Sequence, residues 1–179
     1  MSSSQKFAKI KLDIAFTKKA RRGPLVIEYG PIKYYKVLGN PFRFDLLKAW
    51  QPDRVFWVEI EGPLEALPHR DHGLTCALNL YVQSGGCRTQ FWEALPTAVP
   101  LKYSEEEAQA NIFRTGELVQ TESFVANDGD TYLLDVSSVH SVNNTPDSFR
   151  QFIQISWKTK PFDQVLAMVR ASTETPAPE

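Results

Sequence analysis

The chain has 179 residues, 42% of them hydrophobic and 23% charged, a composition that suits a globular protein able to bury a core without disulfide staples. A formal net charge of -1 excludes a global attraction to nucleic acid or to anionic membranes, and no apolar run approaches the ~20 residues of a membrane span. Cys76 and Cys87 are too few for a disulfide framework and lack zinc-site spacing, so a reducing interior and a cytoplasmic location are expected. Residues 1–179 read as a single domain, with supporting strands and a helix over 1–53 and a core of short strands over 54–158. A C-terminal helix over 159–171 and a disordered tail over 172–179 complete the reading.

In chain order, Phe7 to Phe16 alternates as a strand does. Seven Lys/Arg against one Asp between Met1 and Arg22 end in Lys18-Lys19-Ala20-Arg21-Arg22. This cluster reads as a solvated loop between strands, and contact with phosphates is the alternative, one that would weaken as salt rises. Leu25 to Tyr29 and Ile32 to Leu38 form a strand pair joined around Gly30-Pro31, and Asp45 to Trp50 a short helix stopping near Pro52. Eight short strands follow: Arg54 to Glu61, Ala66 to Asp71, Leu74 to Gln83, Arg88 to Glu93, Val119 to Ala126, Thr131 to Val136, Val139 to Asn143 and Phe149 to Trp157. That number, with turn signals between them, predicts a jelly roll of two facing sheets that holds a ligand at its mouth. Ser84-Gly85-Gly86 and Asn127-Asp128-Gly129-Asp130 are expected to turn hairpins. Residues 95–118 form an insert with a capping-box start at Ser104, either a lid or an idle loop. Phe162 to Arg170 has the spacing of an amphipathic helix.

The chemistry centres on Pro68-His69-Arg70-Asp71-His72-Gly73. A histidine and an aspartate two residues apart on extended backbone project to one side and can grip one metal ion. His140 follows a short apolar run and supplies a third ligand. Two histidines and a carboxylate are the facial triad of non-haem Fe(II) oxygenases, which leaves coordination positions for a co-substrate and dioxygen. Taken alone, His69 and Asp71 would more often be a surface hydrogen bond. Arg150 shares one face of the last strand with Phe152, Gln154 and Ser156, and pointing inward it could clamp a carboxylate with two charge-assisted hydrogen bonds. A surface arginine at a strand start is the plainer alternative. Arg70 is expected to point away from the metal, toward an anionic substrate at the rim. His72 is either a donor behind the ligands or a substrate contact, or an exposed turn histidine, while Trp50, Trp57, Trp92 and Trp157 are assigned to core or pocket wall.

The stretch His69-Arg70-Asp71-His72-Gly73-Leu74-Thr75, with Asp135, His140-Ser141-Val142-Asn143-Asn144-Thr145, Arg150 and Ile155-Ser156-Trp157, resembles the Fe(II)- and 2-oxoglutarate-dependent dioxygenases. It is most similar to their aspartyl/asparaginyl β-hydroxylase-like branch, and Asp71 is present as in the bacterial free-proline hydroxylases. The resemblance covers about residues 54–158. It implies an all-β-dominated double-stranded β-helix (jelly roll, cupin-like) with a few short helices. It implies iron on His69, Asp71 and His140, and 2-oxoglutarate held by Arg150. Where that branch often carries a second basic residue, this chain has Leu78 and Asn79, so Asn79 or Tyr81 is a candidate partner for 2-oxoglutarate. Thr75, Ala77, Asn79 and Tyr81 are expected to face the pocket, with Thr89, Phe91 and Glu93 as neighbours. The substrate class expected is a free amino acid or an amino-acid side chain in a protein. A cupin-like metal-containing binding module or isomerase without 2-oxoglutarate chemistry is the competing reading, since such a triad holds Zn, Mn or Ni equally well.

Overall fold

The computed structural model describes residues 5–12, 20–42, 46–101, 110–145 and 147–174. Its strands are β1 (Phe7–Lys9), β2 (Arg21–Tyr29), β3 (Ile32–Leu38), β4 (Arg54–Glu61), β5 (Leu64–Glu65), β6 (His69–Asp71) and β7 (Cys76–Gln83). They continue as β8 (Arg88–Ala94), β9 (Ala110–Ile112), β10 (Leu118–Val125), β11 (Thr131–Leu134), β12 (Val139–Asn144) and β13 (Phe149–Trp157). Two helices, α1 (Leu46–Trp50) and α2 (Phe162–Glu174), accompany them.

The strands form two antiparallel sheets. One runs β1-β11-β7-β13-β4-β3-β2, the other β10-β8-β12-β6-β9, with β5 paired to β12. The eight strands β4, β6, β7, β8, β10, β11, β12 and β13 pass between the sheets so that β4-β13-β7-β11 face β6-β12-β8-β10. This is the double-stranded β-helix, a jelly roll. The N-terminal strands widen the larger sheet: β3 and β2 beyond β4, and β1 beyond β11.

Alternation along β13 and β7 divides the core into two layers. Ile153, Ile155, Trp157, Cys76, Leu78 and Leu80 point outward to α1 and α2, where they meet Trp50, Val165 and Val169. Burying an aliphatic side chain of this kind contributes about 1.5–3 kcal/mol, so α2 is held by its apolar stripe. Two tryptophan N–H groups tie the layer further: Trp157 Nε1 donates to the Trp50 carbonyl at 3.2 Å, and Trp50 Nε1 to Ser172 Oγ at 3.0 Å. The opposite faces of the same strands carry Ala77, Tyr81 and Phe152, which pack between the sheets with Phe91, Phe124 and Tyr132.

Several boundaries differ from the sequence reading. The first strand is confined to Phe7–Lys9, and residues 13–16 lie outside those described, as do Lys18, Lys19 and the expected helix at Ser104. Arg21 and Arg22 belong to β2 rather than to a loop. The terminal helix runs past Arg170 to Glu174, and residues 175–179 are not described. The two glycine turns are corners between the sheets, not hairpins: β7 and β11 lie in the larger sheet, β8 and β10 in the smaller. Gly85 and Gly129 adopt φ of +63° and +82°, and the Ser84 amide donates to Asp128 Oδ1 at 2.7 Å, joining the two corners.

Candidate metal and ligand site

The smaller sheet sets the spacing of the three candidate ligands through backbone register. His140 on β12 stands directly opposite His69 on β6, and Asp71 lies two residues along β6 on the same side. The insert supports this strand from its other edge, where β9 pairs His69 with Ile112 and Asp71 with Ala110. Phe113, 3% exposed, follows and lies under the Arg70 guanidinium, 5.2 Å from the ring centre. This part of the insert is therefore a strand that braces β6.

Each histidine is oriented from behind. Nδ1 of His69 lies 2.7 Å from the Leu67 carbonyl and Nδ1 of His140 3.0 Å from the Ser138 carbonyl. A carbonyl can only accept, so each Nδ1 carries a proton, and whenever the ring is neutral its Nε2 presents the lone pair. Both Nε2 atoms face Asp71 Oδ1, at 3.4 Å from His69 and 3.8 Å from His140, and one ligand atom from each of the three residues falls within 4.8 Å of the others. Burial works to raise the Asp71 carboxyl, but the hydrogen bond from His69 and the charges of both histidines outweigh it and hold the group below its usual range. Burial works against a charge on His69, which Asp71 nevertheless raises. His140 is lowered by burial and by its histidine neighbour, which favours the neutral, metal-binding form.

These residues open into a cavity of about 100 Å³ between the sheets, which Arg150 also lines. Arg150 is 2% exposed. Its Nη2 donates to the Tyr81 hydroxyl at 2.5 Å, and its guanidinium lies over the Tyr81 and Phe152 rings at 4.9 and 5.0 Å. Nε and Nη1 have no partner among the described residues. The same holds for two further buried atoms on the cavity wall, Asn79 Oδ1 and Thr89 Oγ1. Unpaired buried polar atoms cost stability, and here several converge on one space.

Of the residues expected around the pocket, Asn79, Thr89, Phe152 and Gln154 line it. Tyr81 reaches it through Arg150. Ala77 and Phe91 belong to the core between the sheets. Thr75 turns away, donating to the Trp157 and Lys160 carbonyls at 3.1 and 2.6 Å, because it precedes the start of β7 and is out of phase with it. Glu93 and the exposed His72 are not among the lining residues. Trp50, Trp57 and Trp157 are buried, whereas Trp92 is partly exposed and donates to Ser141 Oγ at 2.9 Å. Sequence reasoning missed Tyr34, which lines the cavity from β3. Burial, and then the Asp71 charge, push its phenol well above the usual tyrosine range. The alternation of Ile32, Tyr34 and the residues that follow was the available signal.

No protein-family model and no curated protein matches the chain. Among solved structures, the Drosophila melanogaster CENP-C cupin domain aligns at 11% identity with a TM-score of 0.41, covering 80% of this chain and 85% of that one. A second crystal structure of that domain gives 11% and 0.40, covering 74% and 72%. A third, of Drosophila melanogaster CENP-C bound to CAL1, gives 13% and 0.39, covering 74% and 80%. The jelly-roll assignment rests on the strand pairing itself. Among the described residues no helix is long and apolar enough to cross a membrane.

Proposed function

We propose that this chain is an Fe(II)- and 2-oxoglutarate-dependent dioxygenase that hydroxylates an amino acid or an amino-acid side chain in a protein. The observation that carries the reading is the joint lining of one cavity by the His69, Asp71 and His140 group and by a buried arginine whose Nε and Nη1 lack partners. Two histidine nitrogens and a carboxylate suit Fe(II), and unpaired guanidinium N–H donors suit a carboxylate.

His69, Asp71 and His140 would hold the iron. When bound, it supplies dioxygen activation coupled to conversion of 2-oxoglutarate into succinate and carbon dioxide, one oxygen atom going to the substrate as hydroxyl. The chain's own part is positional. Leu67 and Ser138 fix the histidine tautomers. Tyr81 accepts from Nη2 of Arg150 and holds the guanidinium in place, leaving the Nε and Nη1 donors to meet a carboxylate. The aliphatic cavity wall limits water. Cys76 and Cys87 are both buried free thiols, in keeping with a reducing, cytoplasmic setting, and we take residues 1–179 to act as one domain.

The test is succinate formation from 2-oxoglutarate by anaerobically iron-loaded protein on admission of air. Turnover should vanish in His140→Ala and fall in Arg150→Ala. Absence of turnover together with absence of metal-dependent 2-oxoglutarate binding by calorimetry would overturn the reading in favour of a cupin-like binding module.

A further inference from the structure

The cavity is chemically divided, and the division follows the strand order of the larger sheet. That sheet runs β7-β13-β4-β3 beneath the site. From β7 and β13 come Asn79, Arg150 and Gln154, which with the Phe152 ring make the more polar half. From β4 and β3 come Val58, Ile60, Ile32 and Tyr34, and the short β5 adds Leu64 above them. The rows are continuous: Arg150 pairs with Ile60 and Ile60 with Ile32, while Phe152 pairs with Val58 and Val58 with Tyr34. The first row thus leads from a guanidinium to hydrocarbon, and the second from a phenyl ring through Val58 to the Tyr34 phenol.

A carboxylate ligand engages the polar half, because that is where the unpaired donors lie. Once Arg150 is so engaged, the described residues that line the β4–β3–β5 half offer no charge to pair an ammonium or a second carboxylate; Arg54, further along the same face of β4 and felt by Tyr34 and Asp71, is outside the lining. An ion placed there would lose its water without compensation, whereas an aliphatic group would gain from burial. Building on the oxygenase reading, we propose that the β4–β3–β5 half binds the substrate, and that the substrate presents an uncharged hydrocarbon group, as an apolar side chain within a peptide does and a free amino-acid zwitterion does not. Among the described lining residues of that half, Tyr34 gives the one side-chain hydrogen-bonding group, suited to an amide or a hydroxyl beside the hydrocarbon.

Zinc-loaded protein with 2-oxoglutarate does not turn over, so binding can be measured at equilibrium. Ligand-observed NMR titrations would compare N-acetyl-L-leucinamide with L-leucine. The neutral amide should bind at least about tenfold more tightly, and Leu64→Asp should remove the preference without altering 2-oxoglutarate binding. Ile32→Asn replaces Leu64→Asp if circular dichroism shows the latter unfolded. Equal affinities, tighter binding of the zwitterion, saturation by neither ligand, or a preference that survives these variants would overturn the proposal. Failure of 2-oxoglutarate to bind the zinc-loaded protein, together with absence of turnover by the iron-loaded protein, would instead sink the oxygenase reading. The same amide comparison on metal-free protein then decides whether the apolar half binds neutral groups.

Discussion

Glu59 and Arg150 sit one residue pair apart on the β4–β13 ladder, on opposite faces of the same sheet, and are 3% and 2% exposed. Their surroundings differ in one respect. Glu59 accepts from Arg22 Nη1 at 2.8 Å, Trp57 Nε1 at 3.1 Å and Gln151 Nε2 at 2.8 Å. Arg150 has Tyr81 and two ring faces, and two of its nitrogens are unpaired. A buried charge whose polar atoms all have partners serves the fold. One left incomplete lowers stability by itself, and the fold gains from it only when a ligand completes it. The outer face of the sheet is thus closed chemistry and the inner face open chemistry.

Exchange of Arg150 should break this contrast most strongly. Arg150→Met keeps the volume and removes the unpaired donors. Unfolding in urea should show stability unchanged or raised, while 2-oxoglutarate affinity measured by calorimetry falls by about 2–5 kcal/mol. Loss of stability in this variant would place Arg150 with Glu59 among structural charges.

Glu59→Gln should do the reverse. It leaves three donors competing for one remaining acceptor oxygen and should cost about 1–3 kcal/mol of stability, with 2-oxoglutarate affinity unchanged. Burial acts to raise the Glu59 carboxyl, but the bonds from Gln151, Arg22 and Trp57 hold it below its usual range. Its contribution is therefore fully present above the unfolded glutamate value of about 4.3 and is lost as pH falls through the lower folded value. Urea midpoints of wild type and Glu59→Gln should converge over that acidic window and stay apart at neutral pH.

The smallest effect is expected at the link between a structural and a ligand-binding role. Tyr81→Phe leaves the ring under Arg150 but frees Nη2, and 2-oxoglutarate affinity should weaken by about 0.5–1.5 kcal/mol. A loss as large as that of Arg150→Met would mean that the hydroxyl itself meets the ligand.

The sequence made much of this legible because alternation and turn residues are local properties. Strands β4 and β13 occur at the predicted boundaries, and the parity of β13 correctly puts Arg150, Phe152 and Gln154 on the cavity side. Properties set by partners distant in sequence were not legible. That Ser84-Gly85-Gly86 turns between sheets depends on where β8 finds its neighbours, β10 and β12. Tyr34 belongs to the cavity because β3 joins β4 in register, and nothing in residues 32–38 specifies that partner. Likewise, the unpaired state of Arg150 could not be read without knowing that Tyr81 satisfies only one of its nitrogens.

The histidine pair also bears on mechanics. Strand β6 is three residues long and is held by single ladders to β12 and β9, so it has few backbone bonds to resist peeling. An ion gripped by His69 and His140 together would rivet β6 to β12 across their ladder, joining parts of the chain far apart in sequence and closing a long loop. Metal occupancy would then act as a fastener, and the exchange rates of the amides around residues 69–71 would report whether it is in place.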